Sequence, residues 1–341
     1  MNTLVITGTG FVGPDSSGPV PAGGANPAPP AGRAFLAAGF DAEAELGRRT
    51  TRFNHRSTLL AVAACGAALR DAGLVADEEA ADGIGVTLGT MCGSVSGLVS
   101  SGWATFSSRP FNVDPSCVPN MVINTAAGAV AIKHGLRGAN STVAGGPVAG
   151  VNALRHAALT LRAGHADTIL VGASDEYGVY EAWLAAALRP GAVLGEGAGI
   201  IVLETIEVAS RGGRPARAAV GAVLTRAIDV TDAVQIRALV ADALRAAGRP
   251  SDRVRHVALR TTGDALADAA ARAAVSSLLP VPPSYREHRI GDCYSAHAAI
   301  QLAELADLAG AQRWTSDDAG LVLALDPDGL AGVAVLTGPE R

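Results

Sequence analysis

Apolar positions along the chain alternate between short runs and longer stretches of helical period. Thr3–Thr7, Ile84–Leu88, Ser141–Ala144 and Thr168–Gly172 have the length and composition of buried strands. Between them lie a helix over Ser57–Ala72, with Ser57 as its cap and Gly73 just past its end, and a helix opening at Pro119 (PNMVINTAAGAVAIKHG). A third helix spans Pro147–Ala163, and Leu194–Glu204 reads as a glycine-hinged strand pair. The second half repeats this rhythm more loosely. Ala218–Leu224 and Val257–Leu259 are strand-like, whereas Val234–Ala247, Asp264–Leu279 and Tyr294–Ala309 are helical. Leu321–Leu325 and Ala331–Leu336 form a hairpin about Pro327-Asp328-Gly329. Strand and helix alternating in two halves predicts α/β layers in one compact unit, divided as residues 1–205 and 206–341.

Composition narrows the function. With 49% apolar and 17% charged residues among 341, a large buried core is expected, and 4% aromatics argue against a broad aromatic binding face. A net charge of -5 and the lack of a basic run point away from nucleic acid and anionic membranes. No apolar stretch has the length of a membrane span, and the start MNTLVITGTGFVG reads as a strand rather than a signal peptide. Cys65, Cys92, Cys117 and Cys293 form no CxxC pair, so neither a metal site nor a disulfide framework is indicated, and a reduced cytoplasmic setting fits.

Two motifs need weighing. Gly8-x-Gly10-x-x-Gly13 matches a dinucleotide fingerprint, but the following Pro14–Gly32 carries no helix pattern, so a structural turn is the better reading and no cofactor is expected. Gly39–Arg56 reads as a polar connector whose Arg48, Arg49, Arg52 and Arg56 form a solvated or interface-anchoring cluster; docking of an acidic carrier protein is the weaker alternative. Cys92, near a possible helix start, is read as structural.

The stretch NSTVAGGPVAGVNAL has the geometry that presents a nucleophile: strand, tight Gly145-Gly146 turn, helix. Its elbow residue is Pro147, which has neither a nucleophilic atom nor a backbone N–H. Together with LVITGTGFVGP, Arg56–Leu74, VTLGTMCGS, VPNMVINTAAGAVAIKHGLRG, ADTILVGASDE and LGEGAGIIVLE, in order, this stretch resembles the β-ketoacyl synthases of the thiolase fold. The resemblance covers most of residues 1–205 and thins afterwards. It implies two pseudo-repeated βαβαβαββ halves stacked as α-β-α-β-α layers. It also implies decarboxylative Claisen condensation by a cysteine and two histidines.

Carried over residue by residue, the resemblance puts Pro147 at the cysteine, Arg260 and Asp292 at the two histidines, and Glu287 at a lysine. The segments around Trp183–Leu194 and after Glu204 look trimmed, and Asp326-Pro327-Asp328-Gly329 replaces a glycine-rich loop. Such losses resemble the chain length factors of type II polyketide synthases, inactive partners of a working ketosynthase, although these usually carry glutamine at the elbow. TRFNHRST is more similar to the polyene-type group than to the aromatic one. The implied partners are a cognate ketosynthase and, through it, an acyl chain on a carrier protein. Val118, Met121, Val122 and Thr125, at helical spacing, are candidates for the acyl tunnel; Ser141, Thr142 and Val143 are candidates for the interface. The competing readings are an independent acyltransferase or thiolase-like enzyme using Cys293 with His297, four residues apart on a helix, and a purely structural scaffold.

Overall fold

Among the described residues the β-rich runs form twelve strands: β1 (Leu4–Val12), β2 (Ser16–Pro19), β3 (Arg33–Leu36), β4 (Ile84–Thr90), β5 (Asn140–Ala144), β6 (Thr168–Asp175), β7 (Leu194–Gly195), β8 (Gly197–Thr205), β9 (Ala218–Ala227), β10 (Val254–Leu259), β11 (Ala319–Leu325) and β12 (Leu330–Thr337). The helices are α1 (Ala42–Leu46), α2 (Arg48–Arg52), α3 (Arg56–Ala72), α4 (Val95–Ser107), α5 (Thr125–His134), α6 (Ala149–Arg162), α7 (Val179–Leu188), α8 (Ile206–Arg211), α9 (Ala233–Ala246), α10 (Ala265–Leu278), α11 (Glu287–Ile290) and α12 (Tyr294–Ala311). This computed structural model describes residues 3–19, 32–78, 80–91, 93, 95–107, 115–189 and 192–340.

Among the described residues nine strands join in the order β10-β11-β12-β9-β1-β8-β6-β4-β5, and β2-β3-β7 make a small separate sheet. The runs β9-β12-β11-β10 and β1-β8-β6-β4 mirror each other about the β1–β9 contact, with β5 added at one edge, and that contact holds only Val5↔Ala219 and Ile6↔Ala218 in register. The expected two stacked sheets are thus continuous through this short seam. Period-two alternation along the strands sorts side chains into three cores. Leu170, Ile200 and Val202 pack outward against α3 and α5. Leu321, Leu323, Val333 and Val335 pack outward against α9 and α10. The intervening residues Ile169, Val171, Ile201, Val322, Ala334 and Leu336 turn inward onto α6 and α12. The result is the expected α-β-α-β-α stacking, with α6 and α12 as the inner layer.

Small residues set the spacing of the inner layer. A Cβ on Gly150 of α6 would lie 2.9 Å from Ser295 O of α12, and one on Gly199 of β8 would lie 2.4 Å from Ile300 N. Gly8 and Gly10 belong to the interior of β1 rather than to a turn: a Cβ on Gly10 would stand 2.0 Å from Ala64 O, so the glycines let α3 lie on the strand.

Several local expectations change for identifiable reasons. The supposed connector after Gly39 holds α1, capped by Asp41, and α2. Ser57 is not the cap of α3; His55 takes that position, and the Ser57 N–H donates to Glu176 Oε2 at 2.9 Å, so a distant carboxylate serves the helix end. The helix from Pro119 is broken into a 3₁₀ turn (Pro115–Met121) and α5. α7 and α8, short and interrupted in pattern, escaped the sequence reading. Cys92 and the side chains of Cys117 and Glu287 lie outside the described residues.

Candidate functional site

β5 ends at Ala144, and the chain turns through Gly146 at φ +55° into a 3₁₀ turn over Gly146–Val148 before α6. The ring of Pro147 fixes its φ in the helical range, so the left-handed step falls on Gly146. A Cβ there would also meet Asp326 Oδ2 at 2.5 Å. Pro147 is buried against the inner layer and offers no polar side-chain atom to it.

The corresponding turn in the second half precedes α12. The chain reaches it through Gly291 at φ +65°, where the backbone of Leu194 leaves no space for a Cβ. Asp292 N donates to Val193 O and Asp292 O accepts from Gly195 N, both at 2.9 Å, so its backbone is clamped from both sides. Arg260, directly after β10, meets its side chain in a bidentate pair: Nε to Oδ1 at 2.9 Å and Nη2 to Oδ2 at 2.7 Å. Arg260 Nη1 also donates to Leu325 O. Arg260 is 1% exposed and Asp292 6%.

Arg189, just past α7, also pairs with Asp292 and lies over the Tyr294 ring, 4.9 Å from its centroid. Asp292 Oδ1 accepts from Tyr294 N at 2.9 Å, which places a negative charge at the α12 N-terminus. Burial alone would raise the Asp292 carboxyl; the charge and hydrogen bonds of Arg260, then the charge of Arg189, overcome it and hold it well below the usual range. A guanidinium and so acidic a carboxyl exchange no protons near neutrality.

Cys293, at the N-cap of α12, and His297 in its first turns are both fully buried. The thiol of Cys293 donates to Ile290 O at 3.2 Å and Glu196 O at 3.5 Å. Burial first, and then the negative charge of Asp292, push it well above its ordinary pKa. This setting opposes the thiolate that a nucleophile needs.

The tunnel candidates separate. Val122, Thr125 and Thr142 come together in a small recess of about 20 Å³ beside Asn120, Ile123 and Thr90. Val118 and Met121 do not line it, because the 3₁₀ turn and the bend after it replace the single helix whose spacing would have aligned them. Ser141 and Val143 alternate with Thr142 along β5 and face the other way. Asn120 Nδ2 donates to Phe53 O at 2.9 Å, whereas the buried Asn120 Oδ1 and Thr142 Oγ1 have no partner among the described residues. β5 is the outer strand of the sheet, paired only with β4, and around it Val118, Val122, Ile123 and Ile132 stand exposed.

Sequence reasoning missed Arg189, Glu181 and Tyr294. Arg56 leaves the arginine cluster: it holds the buried Glu196 with Nη2 at 2.7 Å and donates to Ala37 O. The available signal was a lone glutamate inside the apolar run VYEAWLAAAL. Among the described residues no group of three His, Cys, Asp or Glu is arranged to hold a metal, and no helix is long and apolar enough to cross a membrane.

Residues 15–209 match the family of the β-ketoacyl synthase N-terminal domain. The chain is 33% identical over 201 residues to 3-oxoacyl-[acyl-carrier-protein] synthase 2 of Vibrio cholerae, covering 53% of this chain and 49% of that protein. It is 34% identical over 194 residues to nodulation protein E of Rhizobium leguminosarum bv. trifolii, covering 50% and 46%. The chain thus spans about half the length of these curated relatives. Among solved structures, a chain of the ishigamide ketosynthase/chain length factor superposes with a TM-score of 0.86 at 33% identity, over 98% of this chain and 99% of that one.

Proposed function

The chain belongs to the β-ketoacyl synthase family, and from that premise we propose that it is a non-catalytic member: a chain length factor that pairs with an active ketosynthase and shapes its acyl tunnel. The observation that carries this reading is the Arg260–Asp292 pair. The two positions aligned with the family's histidines are bonded to each other, buried, and unable to move a proton near neutral pH. Pro147 at the elbow removes the nucleophile and an oxyanion-hole N–H together, and donors of that kind are worth about 3–4 kcal/mol to a transition state. The likeness to a ketosynthase/chain length factor over nearly the whole chain supports the same conclusion.

In this reading residues 1–205 carry the partner interface and the emptied elbow, and residues 206–341 carry the emptied histidine positions. The open edge of β5, its exposed apolar neighbours and the unpartnered Asn120 Oδ1 and Thr142 Oγ1 suit a face that the ketosynthase covers. The acyl chain reaches the recess while attached to a carrier protein held by that partner, in a pathway of the reducing, polyene type. An independent enzyme using Cys293 is disfavoured by the thiol's burial and raised pKa.

Co-expression with a ketosynthase that retains its Cys-His-His set tests the proposal. The two chains should co-purify as an equimolar heterodimer that condenses acyl units, and Val122→Trp should shorten the products without dissolving the pair. Condensation by this chain alone, as a monomer, would refute the reading.

A further inference from the structure

A second pocket, separate from the Arg260–Asp292 pair, lies between α7 and the head of α12. It is a small, partly open pocket of about 10 Å³, room for one group the size of a water or an ammonium head, and is lined by Met91, Gly93, Asp175, Glu176, Glu181, Leu184 and Tyr294. Two of its carboxylates are already engaged. Asp175 accepts from Ser295 N at 2.8 Å, and from Thr90 Oγ1 and Met91 N at 3.1 Å. Glu176 accepts from Ser57 N at 2.9 Å and Ser96 Oγ at 2.6 Å. Glu181 differs. It is 5% exposed, and neither carboxylate oxygen has a partner, although the Gly178 and Glu181 backbone N–H groups lie toward it without closing good bonds. The Tyr294 hydroxyl, in a residue 4% exposed, is also buried and unpartnered. Tyr294 is held at φ +51°, a conformation rare for a residue with a side chain.

Buried polar atoms are paired in folded proteins, so two orphans on one pocket call for a group that satisfies both. It must donate hydrogen bonds to a carboxylate and leave one bond for a phenol. It must also suit a wall with three carboxylates and no cation among its described lining residues; the Arg189 guanidinium, over the Tyr294 ring, is paired with Asp292. The absence of a metal-holding cluster among the described residues favours recognition through N–H donors over coordination.

We propose that this pocket binds a primary ammonium group, with Glu181 as its counter-ion and the Tyr294 hydroxyl as a second hydrogen-bond partner. The inference does not depend on the partner-subunit reading. The charged groups around Glu181 are Asp175 at the end of β6 and Glu176 just past it, with Tyr177 beside them, and Tyr294 with Asp292 and Arg189 behind it. Burial and the charge of Glu176 raise the Glu181 carboxyl to about 7, so an ammonium ion should bind more tightly as the pH rises through neutrality.

Titration calorimetry on the full chain, co-purified with a partner where it needs one, tests this with methylammonium chloride. Tetramethylammonium chloride, which carries charge but no N–H, is the control. At about pH 8 methylammonium should bind saturably, about tenfold more weakly to Glu181→Gln, severalfold more weakly to Tyr294→Phe, and more weakly to the unmutated chain near pH 6. Tetramethylammonium should not bind. No saturable heat, an equal response to both cations, or full affinity in Glu181→Gln would overturn the proposal. If Glu181→Gln does not fold, the pH dependence and the Tyr294→Phe arm decide it.

Discussion

The turns that open α6 and α12 occupy matching places in the two halves of the molecule, and under the proposed function they depart from the family's chemistry in opposite ways. At α6 the change is by omission: Pro147 introduces no charge and needs no partner, and Gly146 supplies the left-handed step. At α12 it is by substitution with charge: Asp292 sits between Arg260 and Arg189, all three largely shielded from water. An apolar replacement leaves its neighbours independent. A charged one obliges them, because each buried ion is tolerable only while its counter-ion remains. The second half should therefore be the brittle one.

Breaking the pair is the strongest test. Asp292→Ala strands Arg260 in the interior, and removing one member of a buried ion pair costs about 3–5 kcal/mol. Urea unfolding should show that loss as a lower midpoint. The double variant Arg260→Leu/Asp292→Leu should recover part of it, since the fully buried Arg260 charge is gone and only Arg189, whose side chain is 16% exposed, loses its partner. Equal stability of Asp292→Ala and the unmutated chain would mean that the two turns do not differ in the way proposed.

A smaller effect follows from acidity. The Glu181 carboxyl is raised from 4.5 to about 7 and that of Asp175 from 3.8 to about 6, both mainly by burial. An acid with a raised folded-state pKa binds more protons folded than unfolded, so stability falls as the pH climbs from about 4 to about 7 and then levels off. For Glu181 the span amounts to about 3 kcal/mol. Asp292 acts in the opposite sense: its carboxyl is held down, so its contribution is present above 3.8 and is lost only as the pH drops further. Unfolding midpoints at about pH 5 and pH 8 should thus differ in the unmutated chain and differ less in Glu181→Gln, where the contribution of Asp175 remains. An unchanged midpoint across that window would remove Glu181 from the account.

How far these features were legible depended on the range of the interaction. Strand and helix positions could be read wherever burial imposed a clear period, as for β4, α3 and β6. The elbow could be read because a glycine pair and a proline fix backbone angles locally. Arg260 and Asp292 were placed one by one on aligned positions, but 32 residues separate them and no local pattern announces their bond. Arg189 and Glu176 act at still longer range. Glu176 caps α3 from 119 residues away, which is why Ser57 looked like the cap. The tunnel set failed in part because a helical period was extended through Pro115–Met121, where the backbone is 3₁₀.

The quiet turn offers the smallest and sharpest test. Pro147→Cys returns a thiol to the head of α6, where a helix N-terminus favours a thiolate. The stability change should stay within about 1 kcal/mol, chiefly from the freer unfolded chain. Chemistry should still not follow, because the second half holds an arginine and a strongly acidic carboxylate where a proton carrier is needed. Incubating the variant, paired as proposed with a ketosynthase whose own cysteine is blocked, with a malonyl-loaded carrier protein should give no condensation. Restored turnover in Pro147→Cys alone would show that the Arg260–Asp292 pair is no barrier and that the elbow was the sole loss. Turnover appearing only when Arg260→His and Asp292→His are added would locate the second loss in the brittle half.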